Sequence, residues 1–394
     1  MKINVMSLLL FLTTLSIANS QLLEHLSKSA EIANKDRRVL YSHIAPTLIN
    51  NPYPGVANYT LYSTARLGLL PSNAKPLMPE FGPVINNVTS FNYPITVPQC
   101  GDIDPSVRSV FIAVISAADN FERRSKIRQT WKDHIDLVLQ KGLLGKIHFA
   151  FILGKSENAL IQEKIQKENK NFTDIIQMEL SDSYRNLPWK MAGLLNWVNT
   201  NCRQVDFVLK IDDDMCLNVH VLAHFVKTYY ESGKMTIFGQ SHRVDSKSNN
   251  WGPQRSDSQW QISLDEWPWN TYPNYVNGPA YLMHRTSILP LLAAIQTTPM
   301  IPFEDVYLTG ICPEKAGVTN QYSTGSNRIT GRNIKNECSD ADRLMTWSSD
   351  TTYSHTTVYG MLPHKKIDNF YRGYLSCKPK ESIQFNFRND VSVF

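Results

Sequence analysis

Four short runs rich in β-branched and aromatic residues recur between residues 109 and 211: SVFIAVIS (109–116), KIHFAFIL (146–153), TDIIQME (173–179) and DFVLKI (206–211). Runs of this length and composition predict strands. The stretches between them, 122–139, 156–169 and 188–200, have helical composition. Alternation of this kind restricts the chain to an α/β fold, a mainly parallel sheet with helices on both faces. In such sheets ligands bind beyond the carboxyl ends of the strands, which is where chemistry is to be sought.

Composition narrows the class. A hydrophobic fraction of 42% and a charged fraction of 19% are ordinary for a globular protein, and exclude a disordered chain or a polytopic membrane protein. The net charge of +5 is small, and Lys and Arg form no run that could track a phosphate backbone, so nucleic acid is not an expected partner. At the N-terminus an apolar run, VMSLLLFLTTLSIA (5–18), follows Lys2 and precedes Asn19 and Ser20. It is shorter than the ~20 residues of a spanning helix and matches a signal h-region. Residues 1–20 are therefore expected to be a signal peptide cleaved after Ser20, or a short signal anchor that provides the one membrane association. Entry into an oxidising lumen gives the six cysteines a setting in which they can pair, although their connectivity is not readable. None sits at CxxC spacing, which argues against zinc. Sequons at Asn58, Asn87 and Asn171 fit lumenal glycosylation.

Between residues 21 and 105, prolines from Pro46 to Pro105 interrupt every candidate helix after one over residues 22–40. This stretch reads as a stem or extended wrapping segment. Residues 106–377 form the body and 378–394 a tail.

The strongest chemical signal is Asp212-Asp213-Asp214, which follows directly on the apolar run DFVLKI. Three carboxylates this close raise one another's pKa, and a hard divalent ion such as Mn²⁺ or Mg²⁺ is the natural compensation. A solvated acidic turn is the alternative, but it would not need three acids abutting a buried strand. An EF-hand is excluded because Gly at the sixth loop position and Glu at the twelfth are missing. His220 and His224 lack the Glu of a zincin and read as helix-surface histidines. No phosphate-binding glycine loop or nucleophile elbow is present, since Arg243 stands where the elbow needs Gly. A second acidic pair, Glu304-Asp305, lies between Pro302 and Gly310, where Asp305 suits either a helix cap or a general base. Asn277-Gly278-Pro279-Ala280 reads both as a segment lining a sugar or acceptor pocket, where Gly allows close approach of the backbone, and as a tight turn between strands. Trp251, Trp260, Trp267 and Trp269 flank it and read as core before they read as sugar platforms.

Five motifs occur in order: ERRSKIRQTW (122–131), DSYRNLPWK (182–190), KIDDDMCLN (210–218), YPNYVNGPAYLM (272–283) and FEDVYLTGIC (303–312). Together they resemble glycosyltransferase family 31, the β-1,3-galactosyl- and N-acetylglucosaminyl-transferases of GT-A fold, which makes the expected sheet Rossmann-like and the body a catalytic domain. The resemblance implies an inverting enzyme of the Golgi lumen or membrane that moves galactose from UDP-galactose to the 3-hydroxyl of a glycan on protein or lipid. UDP-N-acetylglucosamine is the alternative donor. A non-catalytic lumenal glycan-binding protein and a metal-dependent phosphohydrolase are the alternatives of other classes.

The same resemblance implies roles. Arg123, Arg124, Arg128, Asp182 and Lys190 lie in motifs tied to the uridine and diphosphate, with Arg128 ahead of its neighbours. Asp212, Asp213 and Gly278 join them at the donor. Asp212 and Asp214 hold Mn²⁺ or another divalent cation such as Mg²⁺, His355 completes the metal site with His364 as alternative, and Asp305 is the catalytic base. The chain departs from the family at Pro188, where Thr is usual, and at Cys216, where an aromatic is usual.

Overall fold

The computed structural model describes residues 42–242, 252–324, 328–331, 344–348 and 386–389. The N-terminal apolar segment, the helix expected over 22–40, Trp251, His355, His364 and the tail's last residues lie outside them. No described helix is long and apolar enough to cross a membrane.

The chain divides into two compact units. In the first, residues 42–73 combine with 252–272. Its helix α1, Val56–Leu67, departs from the expected interruption of every helix by proline. Pro54 and Pro71 leave a proline-free window wide enough for three turns, which Gly68 closes in a left-handed conformation at φ 63°. Tyr59, Trp267 and Trp269 are buried to 3% exposure or less and pack ring against ring. Trp267 and Trp269 are therefore core, as their composition suggested, whereas Trp260 is 38% exposed. Arg255 fastens this unit by donating to the carbonyls of Ile262, Ser263, Trp267 and Trp269.

The second unit is the α/β body. Its strands are β1 (Ser109–Ile115), β2 (Lys146–Lys155), β3 (Ile175–Ser181), β4 (Phe207–Asp212), β5 (Met215–Leu217), β6 (Thr236–His242), β7 (Tyr275–His284), β8 (Thr319–Thr324), β9 (Arg328–Gly331), β10 (Leu344–Ser348) and β11 (Asn386–Asn389). The main sheet has the order β11-β8-β6-β7-β4-β1-β2-β3, and β5-β10-β9 make a small second sheet. β1, β2, β3 and β4 run parallel as the alternation predicted. β7 is antiparallel to both β4 and β6. Every residue of β1 is buried, which explains its unbroken apolar run.

Helices cover both faces. On one lie α2 (Phe121–Gln140) and α5 (Val219–Tyr229), whose apolar stripes join Val110, Ile112 and Val114 in one core. His220 of α5 is part of that buried stripe at 4% exposure, not a surface residue as its composition suggested. On the other face lies α4 (Leu187–Asn201), where Trp197 meets Phe111 of β1 at 5.4 Å. Pro188 occupies the first turn of α4, where a missing amide hydrogen costs nothing, so this departure from the family pattern is locally harmless. α3 (Ala159–Phe172) is capped by the Asn158 side chain, and α6 (Arg285–Gln296) by His284. The closing helical stretch, α7, joins Glu304–Val306, a π-helical turn Tyr307–Ile311 and Cys312–Ala316.

The body begins earlier than residue 106. Residues 74–105 belong to the same unit, where Ile85 and Asn86 donate backbone bonds to Gln296, Ile95 bridges Gln177, and Cys100 is disulfide-bonded to Cys202. Prolines there limit helix to the 3-10 turn Pro79–Phe81 but permit extended pairing along a finished surface. Cys216 and Cys312 are buried free thiols, so not every cysteine of the chain pairs.

Candidate active site

The chain leaves β1 toward β2 and β3 on one side and returns to β4 on the other, so the carboxyl ends of β1 and β4 form the topological switch point. The acidic run stands there. In β4, alternate side chains face opposite ways, placing Lys210 and Asp212 on one face and Ile211 on the other. Asp213 takes the position after the strand, its amide donating to the Ile115 carbonyl at 3.1 Å.

Asp213 is an anchor. Its Oδ2 accepts from the Ser116 hydroxyl at 2.7 Å and the Asn120 side chain at 2.8 Å, and its Oδ1 accepts from Arg123 at 2.9 Å. With the residue 5% exposed and both oxygens engaged, Asp213 holds the loop after β1 against the end of β4. Asp212 and Asp214 are partly exposed, their side chains to 35% and 30%. Burial pushes the Asp212 carboxyl up to about 7 against the pull of Lys210, and Asp214 and Glu304 add like-charge repulsion.

The basic residues of the first motif divide by role. Arg124 is fully buried and bonds the Ser116 hydroxyl, the Ala117 and Ala118 carbonyls and Glu168. It shapes the β1–α2 loop from within and presents no free edge to a ligand. Arg128 bonds Asp174 through two nitrogens and Glu168 through the third, with its guanidinium 4.7 Å from the Phe151 ring and 4.2 Å from the Phe172 ring. Every guanidinium nitrogen of both Arg124 and Arg128 thus has a protein acceptor. Arg123 is the member of the motif that reaches the acidic run, bonded to Asp213, 4.0 Å from Asp214, and 38% exposed. The second motif supplies the Asp182–Lys190 pair. Asp182 accepts from the Ala118 amide at 2.6 Å and Lys190 donates to the Ser116 carbonyl at 3.2 Å, so the pair sits beneath the same loop.

The last two motifs meet on the other side of β4. Asn277, Gly278 and Pro279 lie within β7, not in a turn between strands. The β6–β7 register jumps from Gly239↔Tyr281 to Ser241↔Val276, and Pro279 is tolerated across this irregularity because it lacks a ladder donor. The Gly278 amide donates to Oδ2 of Asp305 at 3.2 Å, and the Val306 amide to Oδ1 at 2.9 Å. Asp305 is therefore inside the first turn of α7, with Phe303 at the cap position. A β-carbon on Gly278 would lie 3.2 Å from that Oδ2, so any larger residue here requires the carboxylate or the strand to give by a few tenths of an ångström. Burial raises Asp305 above the ordinary carboxylate value, opposed by the two amides and Lys210. Glu304 is more deeply buried, at 6% exposure, and accepts from the Tyr281 hydroxyl.

Lys210 joins the two halves: its ammonium donates to Asp212 at 2.7 Å and to the Gly278 carbonyl, and lies 3.7 Å from Glu304. Sequence reasoning passed over it, although a single lysine in an otherwise apolar strand, two residues before Asp212, was the available signal. Ser116, Asn120 and Tyr281 carried no comparable signal. Asp212 and Asp214 offer partly exposed hard oxygens at a strand end, a ligand set that fits Mn²⁺ or Mg²⁺.

Residues 122–324 match the model of the Galactosyltransferase family. The chain is 30% identical over 217 residues to the lactosylceramide 1,3-N-acetyl-beta-D-glucosaminyltransferase A of Xenopus laevis, covering 54% of this chain and 56% of that protein. It is 28% identical over 242 residues to beta-1,3-galactosyltransferase 1 of Mus musculus, covering 61% and 70%. The chain thus spans about half the length of the lactosylceramide relatives it matches. A solved 4-diphosphocytidyl-2C-methyl-D-erythritol synthase aligns with a TM-score of 0.30 and 14% identity over 54% of this chain and 88% of that one, too weakly to carry an argument. With the family match spanning more than half the chain, and the sheet order and strand-end acids consistent with it, the protein belongs to the Galactosyltransferase family, glycosyltransferase family 31, with its α/β GT-A fold.

Proposed function

We propose that the protein is an inverting UDP-sugar-dependent hexosyltransferase that forms a β-1,3 linkage to an acceptor glycan on protein or lipid, in the lumen of the Golgi apparatus. The observation that carries the reading is the pairing of two partly exposed carboxylates, Asp212 and Asp214, with a third, Asp305, held through Gly278 on the other side of Lys210. The first two are suited to a divalent cation and the donor diphosphate. Such a cation, when bound, offsets charge on the departing UDP. Arg123, beside Asp213 and Asp214, is placed to meet the diphosphate.

Asp305 is the base. Two backbone amides orient its carboxylate, and it stays partly exposed while its neighbour Glu304 is buried. It accepts the proton of the acceptor hydroxyl as that oxygen bonds to the anomeric carbon and the sugar–phosphate bond breaks on the opposite face. No covalent enzyme intermediate is needed. The disulfide and the exposed sequon asparagines Asn58, Asn87 and Asn171 suit a lumenal setting.

Galactose is the donor that the family resemblance implies, and the name of the mouse relative is in line with it. N-acetylglucosamine is the second reading, favoured by the names of the lactosylceramide relatives. Incubating the purified protein with Mn²⁺, either UDP-sugar and a panel of β-linked acceptors, while following both UDP and glycan product, decides between them. Product that disappears in Asp214→Ala and Asp305→Asn, with UDP binding kept in Asp305→Asn, is the expected result. UDP release without glycan product points to hydrolysis, and full transfer by Asp305→Asn removes the base from the scheme.

A further inference from the structure

Lys210 is 4% exposed in its side chain, on a strand whose other residues before Asp212 are buried and apolar. Taking an ammonium out of water on such a strand is costly unless its hydrogens are matched by fixed acceptors. The acceptors come from three parts of the body. Asp212 Oδ1 on β4 lies at 2.7 Å, the Gly278 carbonyl on β7 is bonded directly, and Glu304 Oε2 on α7 lies at 3.7 Å. The other Glu304 oxygen accepts from Tyr281, the residue opposite Lys210 in the β4–β7 ladder, over whose ring the ammonium stands at 5.6 Å.

The Gly278 peptide is held from both sides: its carbonyl accepts from Lys210 and its amide donates to Asp305. A continuous chain, Asp212–Lys210–Gly278–Asp305, therefore connects a carboxylate of the donor side to the carboxylate that takes the acceptor proton. Lys210–Glu304 forms a parallel link to the residue next to Asp305.

We infer that Lys210 is a positioning residue that sets the separation and orientation of Asp305 relative to Asp212, so that the acceptor hydroxyl and the anomeric carbon are aligned for in-line attack. The inference rests on the transfer reading above. A lysine suits the task, because its compact ammonium reaches the Asp212 carboxylate and the Gly278 carbonyl by hydrogen bonds while standing 3.7 Å from Glu304. Alignment errors of about 1 Å cost roughly a hundredfold in rate, so the brace acts on turnover and not on donor affinity.

The test uses the full chain with Mn²⁺ and two variants, Lys210→Met and Lys210→Met/Glu304→Gln. The double variant removes both charges of the buried pair and keeps its volume, so it separates positioning from folding. Transfer kinetics, UDP binding by calorimetry in the presence of Mn²⁺, and thermal unfolding are measured on each. The expected result is a kcat lowered about a hundredfold in both variants, with UDP affinity within about threefold of the parent. The double variant should recover thermal stability lost by the single one without recovering kcat. A double variant with parental kcat overturns the inference and leaves the transfer reading standing. So does a loss of UDP affinity equal to the loss of kcat, which marks Lys210 as a general structural residue. A parent protein that binds UDP and Mn²⁺ but transfers neither sugar overturns the transfer reading, and the inference with it.

Discussion

The hydroxyl of Ser116 donates to Oδ2 of Asp213 across 2.7 Å, tying the loop after β1 to the end of β4. Asn120 and Arg123 donate to the same carboxylate, so the middle acid of the run serves the scaffold on which its two neighbours stand.

Asp213→Asn follows from this geometry as a stability variant. The amide turns an N–H toward groups that are themselves donors, and about 2–3 kcal/mol should be lost. Urea unfolding measures it. An unchanged midpoint would show that the loop holds without the anchor.

Gly278→Ala separates activity from stability. The added methyl meets Asp305 at 3.2 Å, so the carboxylate or the strand shifts by a few tenths of an ångström. Turnover is expected to fall about tenfold to a hundredfold with little change in unfolding temperature. Parental turnover in this variant would mean that Asp305 tolerates displacement and is poorly placed as the base.

Arg128→Ala should unfold more readily and still bind UDP while folded. Its guanidinium neutralises Asp174 and shares Glu168 with Arg124, at side-chain exposures of 16% and 8% for the two acids. Removing one partner of a buried pair costs about 3–5 kcal/mol. Calorimetry with UDP and Mn²⁺ below the unfolding transition is the check. A specific loss of UDP affinity would return Arg128 to the donor site.

Stability should decline on mild acidification, in part through His284. Burial, reinforced by Arg285 and Lys234, lowers its pKa to about 4 from an ordinary 6.5, and the ring caps α6 by accepting from the Thr286 amide. The folded state thus binds its proton less readily than the unfolded chain. The contribution is complete above pH 6.5 and is lost as pH falls from 6.5 toward 4. At pH 5 the loss is on the order of 1–2 kcal/mol. His284→Asn keeps a capping acceptor and removes the titration, so its unfolding temperature should fall less between pH 7.5 and 5 than the parent's. Parallel curves for the two proteins would refute the assignment.

Much of this was legible in the residues. The strand and helix runs from 109 to 211 depend on local periodicity, and each became an element within a few residues of its expected bounds. The acidic run also lay where a parallel strand had to end. What the sequence by itself determined is therefore the α/β class, the strand-end acids and the position of Glu304-Asp305 at a helix start. Tertiary structure decided which carboxylate of the run is inward, because that depends on Ser116 and Asn120, remote in the chain. It also decided that Arg124 and Arg128 are consumed by Glu168 and Asp174, since a guanidinium in a motif looks the same whether its acceptor is a diphosphate or a buried acid. The link from Asp212 through Lys210 and Gly278 to Asp305 likewise exists only once β4 and β7 pair antiparallel, a register that no local pattern encodes.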